Sequence, residues 1–276
     1  MKAEGTALVT GSSRGLGRAL ALELARRGFE VVATMRNPEA GRDLAKEAGD
    51  AAGRILVERL DLVDPGTFRI PPGLRVLVNN AAIEEAYLPV EETPLDQWRR
   101  VFETNVFGLV ELTRRAIPVL RKNGGGVICN ITSSSLLVPT PFYAVYRASK
   151  AAVSALGESL RAELAPFGIR VLEILPGPVE TDMLAHSNRR YEAEAFEPYR
   201  PMAERSYENR KSLFSSTPAA DAARTIADAI LDDRSPLRRA CDPMGEQMLE
   251  AWRQMSDEEW MKTLLSSLWG VEVESG

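Results

Sequence analysis

Tyr146 and Lys150 stand four residues apart in the stretch Tyr146-Arg147-Ala148-Ser149-Lys150. The stretch reads as the start of a helix that Pro166 and Gly168 stop, so one turn puts the phenol and the ammonium on the same face. An ammonium there favours the phenolate. It would bring a phenol with an ordinary pKa of about 10 nearer to neutral pH and let it trade protons with a reacting oxygen. Chance alone can produce such a pair, so its meaning depends on the elements that position it.

A second group with chemical meaning is the turn Thr10-Gly11-Ser12-Ser13-Arg14-Gly15-Leu16-Gly17. It follows the apolar run Ala7-Leu8-Val9 and opens a helix with Leu16, Leu20 and Leu24 at helical spacing up to Gly28. Glycines let a backbone approach a pyrophosphate, and the first turn of a helix offers free N–H groups and partial positive charge. A dinucleotide is the expected ligand. No Gly-Lys-Ser/Thr closes the turn, which excludes a P-loop. The next apolar run ends in Ala33-Thr34-Met35-Arg36, without the carboxylate that would hold a ribose 2′-hydroxyl. Arg36 and Arg14 suit a 2′-phosphate instead, so NADP(H) is expected over NAD(H). No metal site is expected. The lone His186 has no partner at ligand spacing and reads as a surface or substrate-loop residue, and Cys129 and Cys241 form no zinc or disulfide pattern.

The surrounding chain of 276 residues, 45% hydrophobic and 26% charged, has the composition of a soluble globular protein. Its net charge of -5 argues against broad contact with nucleic acid or an anionic membrane. No apolar run approaches the roughly 20 residues of a membrane span. The first five residues lead straight into a strand, too short for a secretory leader, and a reducing, cytoplasmic setting is expected.

Apolar runs near 31–33, 55–60, 76–78, 127–131 and 169–175 alternate with helical patterns, among them a charged one over 39–47. Thr93 and Pro94 read as cap and first turn of one long helix to about Lys122, bent near its end by Pro118. Strands alternating with helices predict an α/β fold: one Rossmann-type doubly wound parallel sheet in a single domain over 1–241. Residues 182–216, polar and weakly periodic with Tyr191, Phe196, Tyr199 and Tyr207, read as a substrate lid. A helix over about 218–231 and a short strand near 239–241 complete the sheet. Residues 242–276 read as a C-terminal helical extension packed on it. Its stripe of Met248, Leu249, Trp252, Met255, Trp260, Leu264, Leu268 and Trp269 suits core or subunit interface better than substrate contact.

Taken in order, TGSSRGLG, Asp61-Leu62, Asn79-Asn80-Ala81-Ala82 and YRASK resemble the short-chain dehydrogenase/reductase family over roughly residues 5–241. The resemblance implies that Tyr146 is the proton donor and acceptor, and that Lys150 lowers its pKa and holds the nicotinamide ribose. Ser133, thirteen positions before the tyrosine, would hydrogen-bond the substrate carbonyl, with Ser134 and Ser135 as neighbours. Asn105 would anchor a water next to the lysine. For the cofactor it implies Gly11, Ser13, Arg14, Gly15, Leu16, Gly17 and Arg36, then Asp61 at the adenine with Leu62 beside it, and Asn80 with Ala81 along the adenosine ribose. Val179 and Thr181, after Pro176 and Gly177, match the positions that meet the carboxamide.

Two departures stand out. Residues 62–78, with Pro65-Gly66 and Pro71-Pro72-Gly73, leave no room for the helix the family usually places there, so the third crossover is shortened. Ala82 replaces the usual glycine. The wording Val31-Val32-Ala33-Thr34-Met35-Arg36-Asn37-Pro38 and the long segment after Thr181 resemble the hydroxysteroid and retinol dehydrogenase branch. The resemblance implies a bulky apolar alcohol or ketone substrate and a homodimer or homotetramer. A 3-oxoacyl thioester reductase and a non-catalytic NADP-binding regulator are the competing readings. The balanced charges of 182–216 give the first no basic patch for a carrier phosphate, and the full set Asn105, Ser133, Tyr146 and Lys150 weighs against the second.

Overall fold

Ala7, Leu8 and Val9 are fully buried, which a strand achieves only when both faces of its sheet are covered. In the computed structural model, which describes residues 1–213 and 215–269, this strand is β1 (Thr6–Thr10), followed by α1 (Gly15–Arg27) and β2 (Glu30–Met35). The chain continues through α2 (Leu44–Glu47), β3 (Ile55–Arg59), β4 (Leu74–Asn79), α3 (Leu95–Phe102), α4 (Leu109–Lys122) and β5 (Gly126–Ile131). Then come α5 (Ala144–Leu164), β6 (Ile169–Ile174), β7 (Val179–Glu180), α6 (Asp182–Ser187), α7 (Arg200–Leu213), β8 (Thr217–Pro218) and α8 (Ala219–Leu231). The last elements are β9 (Arg238–Arg239), α9 (Pro243–Gln254) and α10 (Asp257–Leu264).

The sheet has the order β3-β2-β1-β4-β5-β6-β9 with every pair parallel. Alternate side chains of its strands enter two cores. One joins Val9, Val31 and Val78 to Leu20 and Leu24 of α1 and Ile226 and Ile230 of α8. The other joins Leu8, Leu77 and Ile128 to Leu112 and Leu120 of α4 and Leu160 and Leu164 of α5. Chain order reverses between β1 and β4, so a crevice opens at their carboxyl ends, the place where open α/β sheets bind ligands. The doubly wound α/β expectation is met, and the third crossover is short: between β3 and β4 lies a single 3-10 turn, Pro65–Thr67.

Several local expectations are corrected. The charged helix over 39–47 is broken into a 3-10 turn, Pro38–Gly41, and the one-turn α2. The Asn37 side chain caps the turn, and Gly41 packs against Met35, where a Cβ would stand 2.5 Å from the Met35 methyl carbon. Thr93 does not cap α3; its hydroxyl donates to the Pro89 carbonyl, and Pro94 takes the cap position. The long helix is interrupted by a widened π turn, Glu103–Gly108, between α3 and α4, while α4 runs through Pro118 to Lys122. The segment 182–216 is more regular than its sequence suggested, because α6 and α7 form within it. β9 ends at Arg239, before the predicted Cys241.

The C-terminal helices pack on the loop after β5. Leu249 meets Leu137 and Leu175, Leu264 meets Val138, and the Trp260 indole donates to the Leu137 carbonyl. Met255 stays exposed. The side chains of Leu268 and Trp269, and residues 270–276, lie outside those described. Among the described residues no helix is long and apolar enough to cross a membrane.

Candidate active site

The crevice is a cavity of about 450 Å³ that runs from the glycine turn to the C-terminal helices. At its first end, Gly11 has φ of 71°, in the left-handed region, and a Cβ on Gly17 would stand 2.3 Å from the Gly11 carbonyl oxygen. The close approach is held from β4. Asn80 Nδ2 donates to the Thr10 carbonyl at 2.8 Å and to the Gly11 carbonyl at 3.3 Å, while the backbone N–H groups of Asn80 and Ala81 donate to Thr10 Oγ1 at 2.9 and 3.0 Å. The turn and the start of α1 therefore form a bare backbone cradle, which fits a pyrophosphate. Arg36 lies exposed on the cavity at the end of β2, and Arg14 pairs across to Asp182 of α6 at 3.4 Å, both side chains exposed. Arg14 and Arg36 both line the cavity at this end, with the Asp182 carboxylate beside Arg14.

At mid-cavity, α5 presents Tyr146 and Lys150 one turn apart, with Lys150 Nζ 5.6 Å from the Tyr146 ring centre. Lys150 is buried and donates to the Ile131 carbonyl at 2.8 Å. Ser133, in the loop just after β5, lines the same cavity, and its Oγ accepts from the Ser135 N–H at 3.1 Å. Asn105 sits in the π turn and does not line the cavity. Its Nδ2 donates to the Ile83 carbonyl at 2.9 Å and to Ser149 Oγ at 3.1 Å, and its Oδ1 accepts from the Ile83 N–H at 2.8 Å. Ser149 Oγ donates on to the Tyr146 carbonyl at 2.7 Å. Asn105 thus ties the strand after β4 to the start of α5, and the widened turn is what brings it there.

One electrostatic expectation is overturned. Lys150 was expected to depress the Tyr146 phenol, yet burial pushes that phenol above its ordinary value, Glu84 and Tyr143 add to the rise, and Ser133 and Arg210 oppose it. Burial brings Lys150 down to about 8, with Glu84 opposing. In the protein alone, desolvation outweighs the mutual influence of the pair.

Every other residue singled out for the cofactor also lines this cavity: Ser13, Gly15, Leu16, Asp61, Leu62, Pro176, Gly177, Val179 and Thr181. Thr181 caps α6 through its Oγ1, and the Gly177 N–H donates to Asp242 Oδ2 at 2.6 Å. His186 is exposed and lies off the cavity.

The far end holds residues that the sequence did not single out. Glu84 lines it and accepts from Ser187 of α6 at 2.9 Å; burial pushes its carboxyl up, against hydrogen bonds from Ser187 and Tyr87. Tyr143 stacks on Tyr87 at 4.4 Å and meets the edge of Tyr146 at 6.2 Å, and Tyr191 stands edge-on to Tyr87. Arg210 of α7 lies over Tyr143. Met244 and Met248 of α9 form part of the wall, so Met248 faces the site and not only the core. Glu84 could have been found from its place just past the carboxyl end of β4; Ser187, Arg210 and Asp242 sit at no fixed offset from any motif.

The short chain dehydrogenase family model matches residues 5–192. A 3beta-hydroxysteroid dehydrogenase 1 of Eggerthella lenta is 39% identical over 201 residues, spanning 69% of this chain and 76% of that protein. A short chain dehydrogenase of Burkholderia cenocepacia, solved in complex with NADP, matches with a TM-score of 0.73 at 26% identity, covering 97% of this chain and 99% of that one. A short chain dehydrogenase/reductase of Burkholderia phymatum, solved in complex with NAD, is alike in fold, with a TM-score of 0.73 at 24% identity over 92% of this chain and 93% of that one. The chain belongs to the short-chain dehydrogenase/reductase family, oxidoreductases that work with a nicotinamide cofactor on alcohol and carbonyl groups.

Proposed function

We propose that this protein is an NADP(H)-dependent oxidoreductase that interconverts a carbonyl and an alcohol on a bulky, largely apolar substrate, with Tyr146 as the acid and base. The observation that carries the reading is the convergence on one phenol: Lys150 lies over its ring, Ser133 lines the same cavity from the loop after β5, and that cavity opens onto the glycine cradle. NADP(H), when bound, supplies or accepts the hydride. In reduction Tyr146 gives its proton to the substrate oxygen, and in oxidation it takes one back. Ser133 holds that oxygen against the phenol by a hydrogen bond. Lys150 keeps a cation beside the ring and reaches the nicotinamide ribose. Asn105 positions the start of α5 through Ser149.

On the cofactor side, Gly11, Ser13, Gly15, Leu16 and Gly17 cradle the pyrophosphate, and Arg14 and Arg36 meet the 2′-phosphate, for which Arg14 exchanges its pairing with Asp182. Asp61, Leu62, Asn80 and Ala81 border the adenosine, and Pro176, Gly177, Val179 and Thr181 border the nicotinamide. The apolar substrate is supported by the likeness to a 3beta-hydroxysteroid dehydrogenase and by Val138, Met244 and Met248 on the cavity wall. We place residues 1–241 in the catalytic domain with 182–216 as its lid, 242–276 as an extension packed on it, and the working form as a cytoplasmic homodimer or homotetramer.

The test is a screen of the purified protein with NADPH and NADP against ketones, aldehydes and secondary alcohols, steroids and acyl thioesters included. Tyr146→Phe then abolishes turnover while NADPH affinity stays within about twofold of wild type. Full turnover in that variant refutes the role given to Tyr146.

A further inference from the structure

The far end of the cavity carries a charge that an apolar substrate does not need. Arg210 lines the cavity, stacks over the Tyr143 ring at 5.0 Å, and donates through one nitrogen to the hydroxyls of Tyr143 and Tyr191. Both of these partners are phenols. Among the described residues no carboxylate pairs with Arg210, whereas two other lid arginines have one: Arg189 with Glu192 at 3.1 Å and Arg190 with Glu194 at 2.8 Å. A guanidinium in a half-buried cleft whose hydrogen-bond partners are phenols and not a carboxylate stays charged and can receive an anionic ligand. It also has five N–H donors in a planar fork, more than two phenol oxygens engage.

The other ionisable group at this end, Glu84, makes no ion pair with Arg210: its carboxyl accepts from Ser187 at 2.9 Å, and burial pushes it up while the Arg210 charge opposes that rise. Lys150 adds a second cation deeper in the cavity. Arg210 and Tyr146 both lie against the Tyr143 ring, at 5.0 and 6.2 Å from its centre, so an anion held by Arg210 is near enough to belong to the same substrate as the oxygen facing Tyr146.

We propose that Arg210 is a substrate-binding residue that receives a carboxylate carried by the substrate on the lid side of the reacting carbonyl. The substrate class becomes an amphipathic keto- or hydroxy-acid: an apolar body with the carbonyl at one end and a carboxylate toward the lid. This rests on the oxidoreductase reading of the same site.

The test measures binding and not turnover. Full-length protein saturated with NADP⁺ is titrated calorimetrically with 4-acetylbenzoate, with 4-(4-acetylphenyl)butanoate, and with the methyl ester of each. At least one carboxylate binds about tenfold or more tightly than its ester in the wild type, and Arg210→Met brings the pair to within about twofold. Arg210→Lys, which keeps the cation and loses the fork, retains part of the preference. NADP⁺ affinity and the unfolding midpoint of each variant report whether the fold survives. Should Arg210→Met fail to fold, 4-acetylbenzylamine decides on wild-type protein: it binds more weakly than the neutral ester. Equal binding of acid and ester, binding of neither, a preference that persists in Arg210→Met, or tighter binding of the amine overturns the proposal. Failure of the wild type to bind NADP⁺ refutes instead the reading on which the proposal rests.

Discussion

The two ends of the cavity are built in opposite ways. At the cofactor end, the groups that matter are backbone: a glycine turn, the first turn of α1, and side chains of Thr10 and Asn80 spent on holding that backbone in place. At the substrate end they are side chains delivered from five distant stretches: Glu84, Tyr143, Ser187, Arg210 and Met248. The first end has a shape that one short motif specifies. The second takes its shape from how the lid and the C-terminal helices dock, and its residues are free to vary without disturbing the cradle. Tyr146 and Lys150 stand between the two.

Substitutions at either end should therefore separate cleanly, and the largest effect belongs to the cradle. Gly17→Ala places a methyl against the Gly11 carbonyl and Asn80, backbone and side chain that cannot both retreat, so NADPH affinity falls about 100-fold or more by nucleotide fluorescence titration. Unchanged affinity would break the picture of a close-fitting backbone cradle. The junction gives the next effect. Lys150 has been brought down to about 8, so it is protonated below that pH and loses its charge above it. The kcat/KM for ketone reduction is then level below about pH 8 and falls up to about tenfold per unit above it. Lys150 titrates lower in the folded chain than its ordinary 10.5, so the unfolded chain binds more protons and stability rises as pH climbs from about 8 to 10.5, the reverse of the activity trend. A common direction for both profiles would contradict the assignment.

Arg36→Ala tests the cofactor end more gently. It narrows the ratio of kcat/KM with NADPH to that with NADH by about tenfold, and leaves the ranking of substrates alone. An unchanged ratio removes Arg36 from cofactor choice. The smallest effect is expected at the substrate end from Trp260→Phe, which leaves the Leu137 carbonyl without its indole donor. The KM for ketone rises about threefold and the unfolding midpoint falls a few degrees, while NADPH affinity holds. A larger loss in NADPH affinity than in KM would show that the two ends are not independent.

The same contrast explains what could be read from the chain without its structure. The sheet, the short third crossover and the whole cradle were legible because each depends on neighbours within a few residues: an apolar run, a glycine, a proline pair. Tyr146 and Lys150 were legible as a pair from their spacing on one helix, and Ser133 only through the family resemblance. The π turn was not, since Glu103–Gly108 has the periodicity of ordinary helix, and what accompanies the turn is long-range: Asn105 bonds Ile83 and Ser149, and Gly108 packs against the Leu62 backbone. Arg210 read as one more arginine in a polar segment, because the order of α7 and its docking over Tyr143 come from packing among Tyr87, Tyr143 and Tyr191. The direction of the Tyr146 shift was misjudged for a related reason: spacing reports which charges are near, but not how deeply the ring is buried.

The central claim is that hydride passes between a nicotinamide and a carbonyl carbon while Tyr146 supplies the proton. The most direct measurement incubates the protein with NADPH carrying deuterium at C4, in each stereochemical form, and the ketones of the screen, and reads the carbinol by mass spectrometry and NMR. One deuterium is expected on the carbinol carbon from one of the two forms, with one carbinol for each NADPH consumed and no labelled carbinol from Tyr146→Phe. Carbinol without deuterium from either form, or no reduction of any ketone by protein that binds NADPH, would contradict it.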